Sequence, residues 1–262
     1  MTYERTYLST HPWLTFSANL RSVAPKLWIA LGECQSMCDE IAHAALPPDA
    51  ADALYRLSLA GGAHGSAALA GNTLTAEEVL RHLEGRLELA PSRRHLAEEI
   101  DTLIEVCRLI VTDAAERGGT ELSPPWIQAV NRLALFGLPC GEGVVPGVLR
   151  DYPSSTGRYE GPAAEDCGYL LDRLCEWLNS PGFSAGEGFG ITHAIIRAAL
   201  AHLYLWWIRP FGDGNGRTAR LIEFQILVMS GVPAAAAHVL SEQYHRSRGE
   251  YVRQLEHAGE KG

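Results

Sequence analysis

Arg209-Pro-Phe-Gly-Asp-Gly-Asn-Gly-Arg-Thr-Ala-Arg220 separates two strongly apolar stretches, and the fold turns on how it is read. Gly212, Gly214 and Gly216 alternate with Asp213 and Asn215. Such a chain can turn successive backbone amides to one side before a helix begins, and free amides at a helix N-terminus attract anions. Arg217 and Arg220 stand three apart, on one side of that helix, where each guanidinium can grip phosphate oxygens at two points. Asp213, alone among glycines, suits Mg2+, which binds through one or two carboxylates plus substrate phosphates. The plainer alternative is a glycine turn joining two helices, with Asp and Asn as ordinary turn formers. The register of both arginines with the helix start favours the phosphate site.

Helical periodicity extends outward from this segment in both directions. Downstream, helices are expected over Arg217 to Ser230 and Glu242 to His257; upstream, over Ala163 to Leu178 and Thr192 to Trp207, joined by a glycine-rich connection from Gly182 to Gly190. Further back, the pattern predicts helices at Pro25 to Ala45 and at Ala51 to Ala60, the second ending at Gly61-Gly62. Thr75-Ala-Glu-Glu78 is a capping box that opens a helix through Leu87. A long helix is expected within Pro91 to Arg117, and another from Ser123, with proline in its first turn, to about Phe136. Gly137 to Pro162 breaks the pattern, reading as a loop or small hairpin with extended pieces around Val144 to Leu149. No internal repeat is evident. The expectation is an all-α fold with a short β-hairpin, divided into an N-terminal helical region over 1–90 and a core over 91–262.

Composition narrows the function classes. Of 262 residues, 47% are hydrophobic and 20% charged, near the globular average, and that length can bury a sizeable core. A formal charge of -9 argues against a nucleic-acid surface, which selects for clustered Lys and Arg. No apolar run reaches the roughly 18 to 20 residues of a membrane span, and Met1 to Arg21 lacks a signal peptide's apolar stretch. The expectation is a cytoplasmic protein with no membrane partner, compatible with a homodimer. The six cysteines show no C-x-x-C pair and no metal-like spacing, so Cys34 and Cys38, four apart, read as reduced, packed thiols.

The quoted segment resembles the motif of the Fic (Fido) family, H-x-F-x-D/E-G-N-G-R-x-x-R. Phe211, Asp213, Gly214, Asn215, Gly216, Arg217 and Arg220 all match, and only the first position departs. His202 in the run into the motif, Gly147-Val-Leu-Arg150 before the flap, and Arg248 to Leu255 as a closing helix are similar to the family as well. The likeness spans roughly residues 50 to 257, and a motif of twelve residues is highly specific. It implies a Fic-type helical bundle that binds ATP or another nucleotide with Mg2+ and transfers a nucleoside monophosphate, most often AMP, to a target protein's hydroxyl. It also implies that Asp213 holds the metal, and that Gly214, Asn215 and Gly216 form an anion hole, with Phe211 beside it. Arg217 and Arg220 would contact the outer phosphates, and Asp151 to Gly161 would be the flap that aligns the acceptor by strand-like pairing.

Two departures bear on chemistry. The family's first motif residue is the histidine that takes the acceptor's proton; Arg209 stands there. A guanidinium offers no lone pair, and a positioned base contributes about 10²- to 10⁴-fold, so hydroxyl AMPylation should be slow. No histidine lies within six residues of Arg209, and His193, His202, His238 and His245 could serve only by tertiary approach. Upstream, Ser66 to Thr75 resembles the family's inhibitory helix, S-x-x-x-E-G, over about 62–71, but Ala70 replaces the glutamate. Without that carboxylate, Arg220 is expected to be free for a ligand, and removal of AMP by the familiar route is not expected.

Two function classes fit. An enzyme with altered chemistry would transfer a nucleotidyl or phosphoryl group to an already ionised acceptor, a protein or small molecule, oriented by Arg209 as a two-point cation. A catalytically inactive binding protein would hold the nucleotide as an effector. Around the motif, Tyr204, Trp206 and Trp207 read mainly as core. Tyr244 and Tyr251, seven apart on one helix, either line an adenine pocket or only pack. Arg246 and Arg248 read as a solvated face.

Overall fold

Gly61, Gly62 and Gly65 do not end a helix: they let two helices touch. In this computed structural model, which describes residues 5–183 and 189–261, α3 (Pro48–Leu69) runs unbroken through all three glycines. Each glycine faces α10 (Ala234–Arg246): Gly61 meets the Glu242 carboxylate, Gly62 the His238 ring and backbone, and Gly65 the backbone of Ser241 and Glu242. The sequence reading ended the helix there because glycine lowers helix propensity. The close helix pair overrides that local preference, and the region resembling an inhibitory helix is the second half of α3.

The described residues form eleven α-helices and one two-stranded sheet. A short α1 (Tyr7–Thr10) precedes α2 (Pro25–His43), followed by α3 and α4 (Ala76–Leu83), which opens on the expected reciprocal Thr75–Glu78 capping box. Next come α5 (Arg94–Arg117), entered through a 3₁₀ turn at Pro91–Arg93, and α6 (Pro124–Ala134). The core continues with α7 (Cys167–Leu178), α8 (Gly190–Ile208), α9 (Asn215–Met229), α10 and α11 (Arg248–Lys261). The helix expected over Glu242 to His257 is two helices, broken at Ser247. Most of the Gly182 to Gly190 connection lies outside the described residues.

Helices α8 and α9, joined by the glycine motif, pack on one another at the centre, with α5, α6, α7 and α3 around them. Helix α8 has 19 residues and a mean hydropathy of 1.2, long and apolar enough to cross a membrane, contrary to the sequence reading. Its apolar surface is spent on packing, with Ala201, Leu205 and Ile208 buried and Tyr204, Trp206 and Trp207 in the core as expected. All six cysteines are free; Cys38 is buried and Cys34, one turn earlier on α2, is exposed.

The Gly137 to Pro162 region carries β1 (Ser155–Thr156) and β2 (Tyr159–Glu160), an antiparallel hairpin with Ser155 opposite Glu160 and Thr156 opposite Tyr159. Gly157 supplies the positive φ (56°) of its tight turn. Val144 to Leu149 forms no strand. Its only pairing is a single bridge from Leu149 to Phe211, which ties this region to the motif.

Candidate nucleotide site

Helix α8 ends on Arg209, a non-glycine residue at φ 46°, ψ 59°. The left-handed region costs an L-residue roughly 1–2 kcal/mol, and a neighbouring side chain holds it there. Arg150, 4% exposed, donates from Nε to the Arg209 carbonyl at 2.7 Å, from Nη1 to Tyr152 O at 2.7 Å and from Nη2 to Pro162 O at 2.6 Å. One planar guanidinium thus fastens the end of α8 to both ends of the flap loop. The left-handed turn aims the Arg209 side chain under the hairpin, where Nε donates to Ser154 Oγ at 3.1 Å. Burial, then the nearby charge of Arg150, push the Arg209 pKa below its ordinary value, against the pull of Tyr159. Guanidinium groups are nonetheless not deprotonated in proteins.

Past Arg209 the chain reverses. Phe211, 1% exposed, drops into the core, and the Asn215 side chain closes the loop beneath it. Asn215 Oδ1 accepts from Phe211 N at 3.0 Å and its Nδ2 donates to Phe211 O at 2.7 Å. The Phe211 ring is core and is absent from the cavity lining, whereas Asn215 does line the cavity while its side-chain amide closes the loop. Gly214, at φ 73°, caps α9, whose first backbone bond is Thr218 N to Gly214 O at 2.8 Å. The amides of Asn215, Gly216 and Arg217 consequently have no acceptor within the helix. Asn131 on α6 braces the turn through Asp213 O and Thr218 Oγ1, both at 3.0 Å.

These amides face a cavity of about 330 Å³. Residues 212–217 form its floor, while Arg209, Arg220, Arg248, Trp206 and Tyr251 stand around it. The flap contributes Thr156, and α3 contributes Leu69 and Ala70, the residue in the inhibitory-glutamate position. Asp213 and Glu256 are the carboxylates on its wall among the described residues, and no histidine is there. His202, the nearest in sequence, is buried between Glu223 (3.0 Å) and Tyr251 Oη (2.9 Å); His238 stacks on Phe224 at 4.4 Å.

Neither motif arginine is without partners. Arg220, 4% exposed, donates from Nε to Ser66 Oγ at 2.9 Å and from Nη2 to Ser66 O at 2.8 Å. No carboxylate pairs with Arg220 among the described residues, and it lines the cavity; the serine of the same helix, one turn before Ala70, accepts two of its hydrogen bonds. Arg217 donates to Glu99 Oε1 at 2.6 Å and to Asp213 Oδ1 at 3.2 Å. Asp213 is 41% exposed and lines the cavity, with Oδ1 also accepting from Gly214 N. No group of three or more metal-ligating side chains occurs among the described residues. One open carboxylate beside an anion-binding floor fits a Mg2+ carried largely by phosphate oxygens, and does not fit an all-protein metal cage.

Glu99 and the cavity-lining place of Arg248 escaped the sequence reading, which left Tyr244 and Tyr251 between lining a pocket and packing. Glu99 sits on α5, more than a hundred residues from its partner. Arg248, read as a solvated face, lines the cavity and reaches Ala68 O at 3.4 Å. Tyr244 and Tyr251 lie on different helices and stack at 4.7 Å, with Tyr251 on the cavity wall. The Ser247 break between α10 and α11 makes these last two placements, and no periodicity argument across a continuous helix would have found them.

Residues 121–227 match the Fic/DOC family. Over 168 residues the chain is 30% identical to the protein adenylyltransferase Fic of Drosophila virilis, covering 64% of this chain and 32% of that protein. It is 34% identical over 116 residues to the Nematostella vectensis protein of the same name, covering 40% and 25%. The chain thus spans about a third of the length of the curated relatives it matches. Among solved structures, a Fic family protein from Desulfovibrio desulfuricans superimposes with a TM-score of 0.63 at 20% identity, covering 89% of this chain and 69% of that one. Fic-1 of C. elegans does so with 0.62 at 22%, covering 89% and 68%. At these identities the structures speak for the helical fold alone.

Proposed function

We propose that this chain, whose residues 121–227 match the Fic/DOC family, binds a nucleoside polyphosphate, ATP or a similar nucleotide, together with Mg2+. We propose further that it transfers a nucleotidyl group, with release of pyrophosphate, or a phosphoryl group, with release of the nucleoside diphosphate, to an acceptor that is already an anion. The supporting observation is the cavity floor: three helix-start amides with no intrahelical acceptor, ringed by Arg209, Arg217, Arg220 and Arg248. A polyanion replaces the missing acceptors of those amides and is matched in charge by the arginines. In this reading Asp213 supplies the protein's carboxylate to the metal, which neutralises phosphate charge. Arg217 and Arg220 keep further N–H groups for phosphate while held by their protein partners.

Arg209 decides the acceptor class. Fixed under the hairpin, it cannot take a proton from a hydroxyl, but it attracts and orients a carboxylate or phosphate, which needs none removed. The acceptor approaches along the flap, where Thr156 meets the cavity. Incubation with labelled ATP, Mg2+ and a panel of carboxylic acids and phosphate esters tests the reading. Turnover that vanishes in Asp213→Ala is expected, and its absence across all acceptors would overturn the transfer. A second reading, a binding protein that holds the nucleotide as an effector, draws on the engagement of both motif arginines by Glu99, Asp213 and Ser66. It requires saturable nucleotide binding with the ligand recovered unchanged.

A further inference from the structure

Arg217 stands between two carboxylates in unlike surroundings. Glu99, 9% exposed, comes from α5, does not line the cavity, and takes a second hydrogen bond on Oε2 from Asn72 Nδ2 at 2.9 Å. Asn72 is pinned in turn, donating to Leu96 O at 2.9 Å and accepting from Leu74 N at 3.0 Å. Asp213 is 41% exposed and faces the cavity. The contact on the buried side is 2.6 Å and that on the open side 3.2 Å. One guanidinium charge is therefore shared unequally. The shorter contact lies in drier surroundings, where Coulomb attraction is stronger, so Glu99 takes the larger part.

We propose that Glu99 is a positioning residue that sets the divalent-cation affinity of the cavity, by holding the charge of Arg217 back from Asp213. This rests on the reading above that Asp213 is the metal-binding carboxylate. With Glu99 ionised, the group Glu99–Arg217–Asp213 carries one net negative charge, on the side open to the cavity. With Glu99 neutral the three sum to zero, Arg217 becomes the sole counter-charge of Asp213, and an incoming cation must displace it. The rest of the phosphate floor is untouched, because Glu99 reaches the cavity only through Arg217.

The test measures binding of ADP to the full chain while MgCl2 is titrated, in the wild type, Glu99→Gln, the double variant Glu99→Gln/Arg217→Gln, and Asp213→Ala. In Glu99→Gln the half-saturating Mg2+ concentration is expected to rise about fivefold to tenfold, the scale of one added counter-charge at a partly exposed carboxylate. Affinity for ADP without metal is expected to hold or tighten, because the cavity gains positive charge. Removing the arginine as well should return half-saturation to the wild-type value or below it, a rescue that loss of packing would not give. An unchanged Mg2+ requirement in Glu99→Gln, beside a wild type whose requirement depends on Asp213, overturns the inference alone. Weaker metal-free binding that the double variant fails to restore also overturns it, leaving Glu99 a structural support. A wild-type Mg2+ response that persists in Asp213→Ala removes the underlying reading and the inference together. Should Glu99→Gln not fold, Arg217→Gln alone decides: a lower half-saturating Mg2+ concentration supports the inference, and an equal or higher one overturns it.

Discussion

Gly65→Ala is a methyl added where two helices meet backbone to backbone. A Cβ at Gly65 would lie 2.7 Å from Glu242 Cα and 2.7 Å from Ser241 C, with the Ser241 carbonyl oxygen closer still. Restoring an ordinary 3.4 Å contact to the carbons requires about 0.7 Å of separation between α3 and α10 (3.4 minus 2.7). A gap of that size forfeits roughly a quarter to a half of the contact energy of the atoms it parts, and overpacking of this kind typically costs 1–3 kcal/mol. Against this, alanine gains up to about 1 kcal/mol in helix propensity. The expected net loss is about 1–2 kcal/mol, seen in urea as a lower midpoint at unchanged slope. Ser66 follows directly on Gly65 and holds Arg220, so nucleotide affinity should fall in the same variant. An unchanged or higher midpoint would refute the reasoning, since helix propensity would then outweigh a contact that the geometry makes prohibitive.

Three further outcomes follow from the same structure. Arg209→His places a proton acceptor under the hairpin, and labelled AMP incorporation onto hydroxyl acceptors should rise about 10²- to 10⁴-fold; a flat response would mean that some other feature of the cavity blocks that reaction. Arg150→Lys keeps the charge but loses the planar fork that satisfies Arg209 O, Tyr152 O and Pro162 O, and should cost about 2–3 kcal/mol in thermal or urea unfolding. The third concerns pH. Burial works against charge on His202, but Tyr251 and Glu223 outweigh it and push its pKa up to about 9 from 6.5, while burial lowers His238 to about 4. A raised pKa contributes stability that is full below 6.5 and lost as pH rises through about 9. A lowered histidine pKa contributes stability that is present above 6.5 and lost as pH falls toward about 4. Unfolding midpoints should therefore peak near pH 6.5, and His202→Gln should flatten the alkaline side while leaving the acid side.

The local signals in the sequence were read correctly where the causes are local. The Thr75–Glu78 capping box, the proline start of α6 and the glycine-led start of α9 each depend on residues within a few positions of one another. Gly212, Gly214 and Gly216 permit the turn whatever surrounds it, and the absence of a lone pair on Arg209 is a property of the residue itself. Elsewhere the same reasoning failed, and the failures share a cause. Glycine at 61, 62 and 65 lowers helix propensity, which locally argues for a helix end. The structure uses the missing side chains to bring α10 within backbone contact, and the gain in packing outweighs the propensity.

The amino-acid sequence by itself determined that a glycine turn leading into a helix, with a carboxylate and two arginines, would form at 212–220, with no base at its head, because backbone freedom and protonation chemistry travel with the residue. Tertiary structure alone decided how the cations are held: Ser66 on Arg220, Glu99 on Arg217, Arg150 on the carbonyl of Arg209, and Arg248 turned into the cavity. The physical reason is the reach of these interactions. Their partners are separated by between 59 and 180 residues, and a charge's partner is set by which surfaces packing brings together, a quantity that no local pattern encodes.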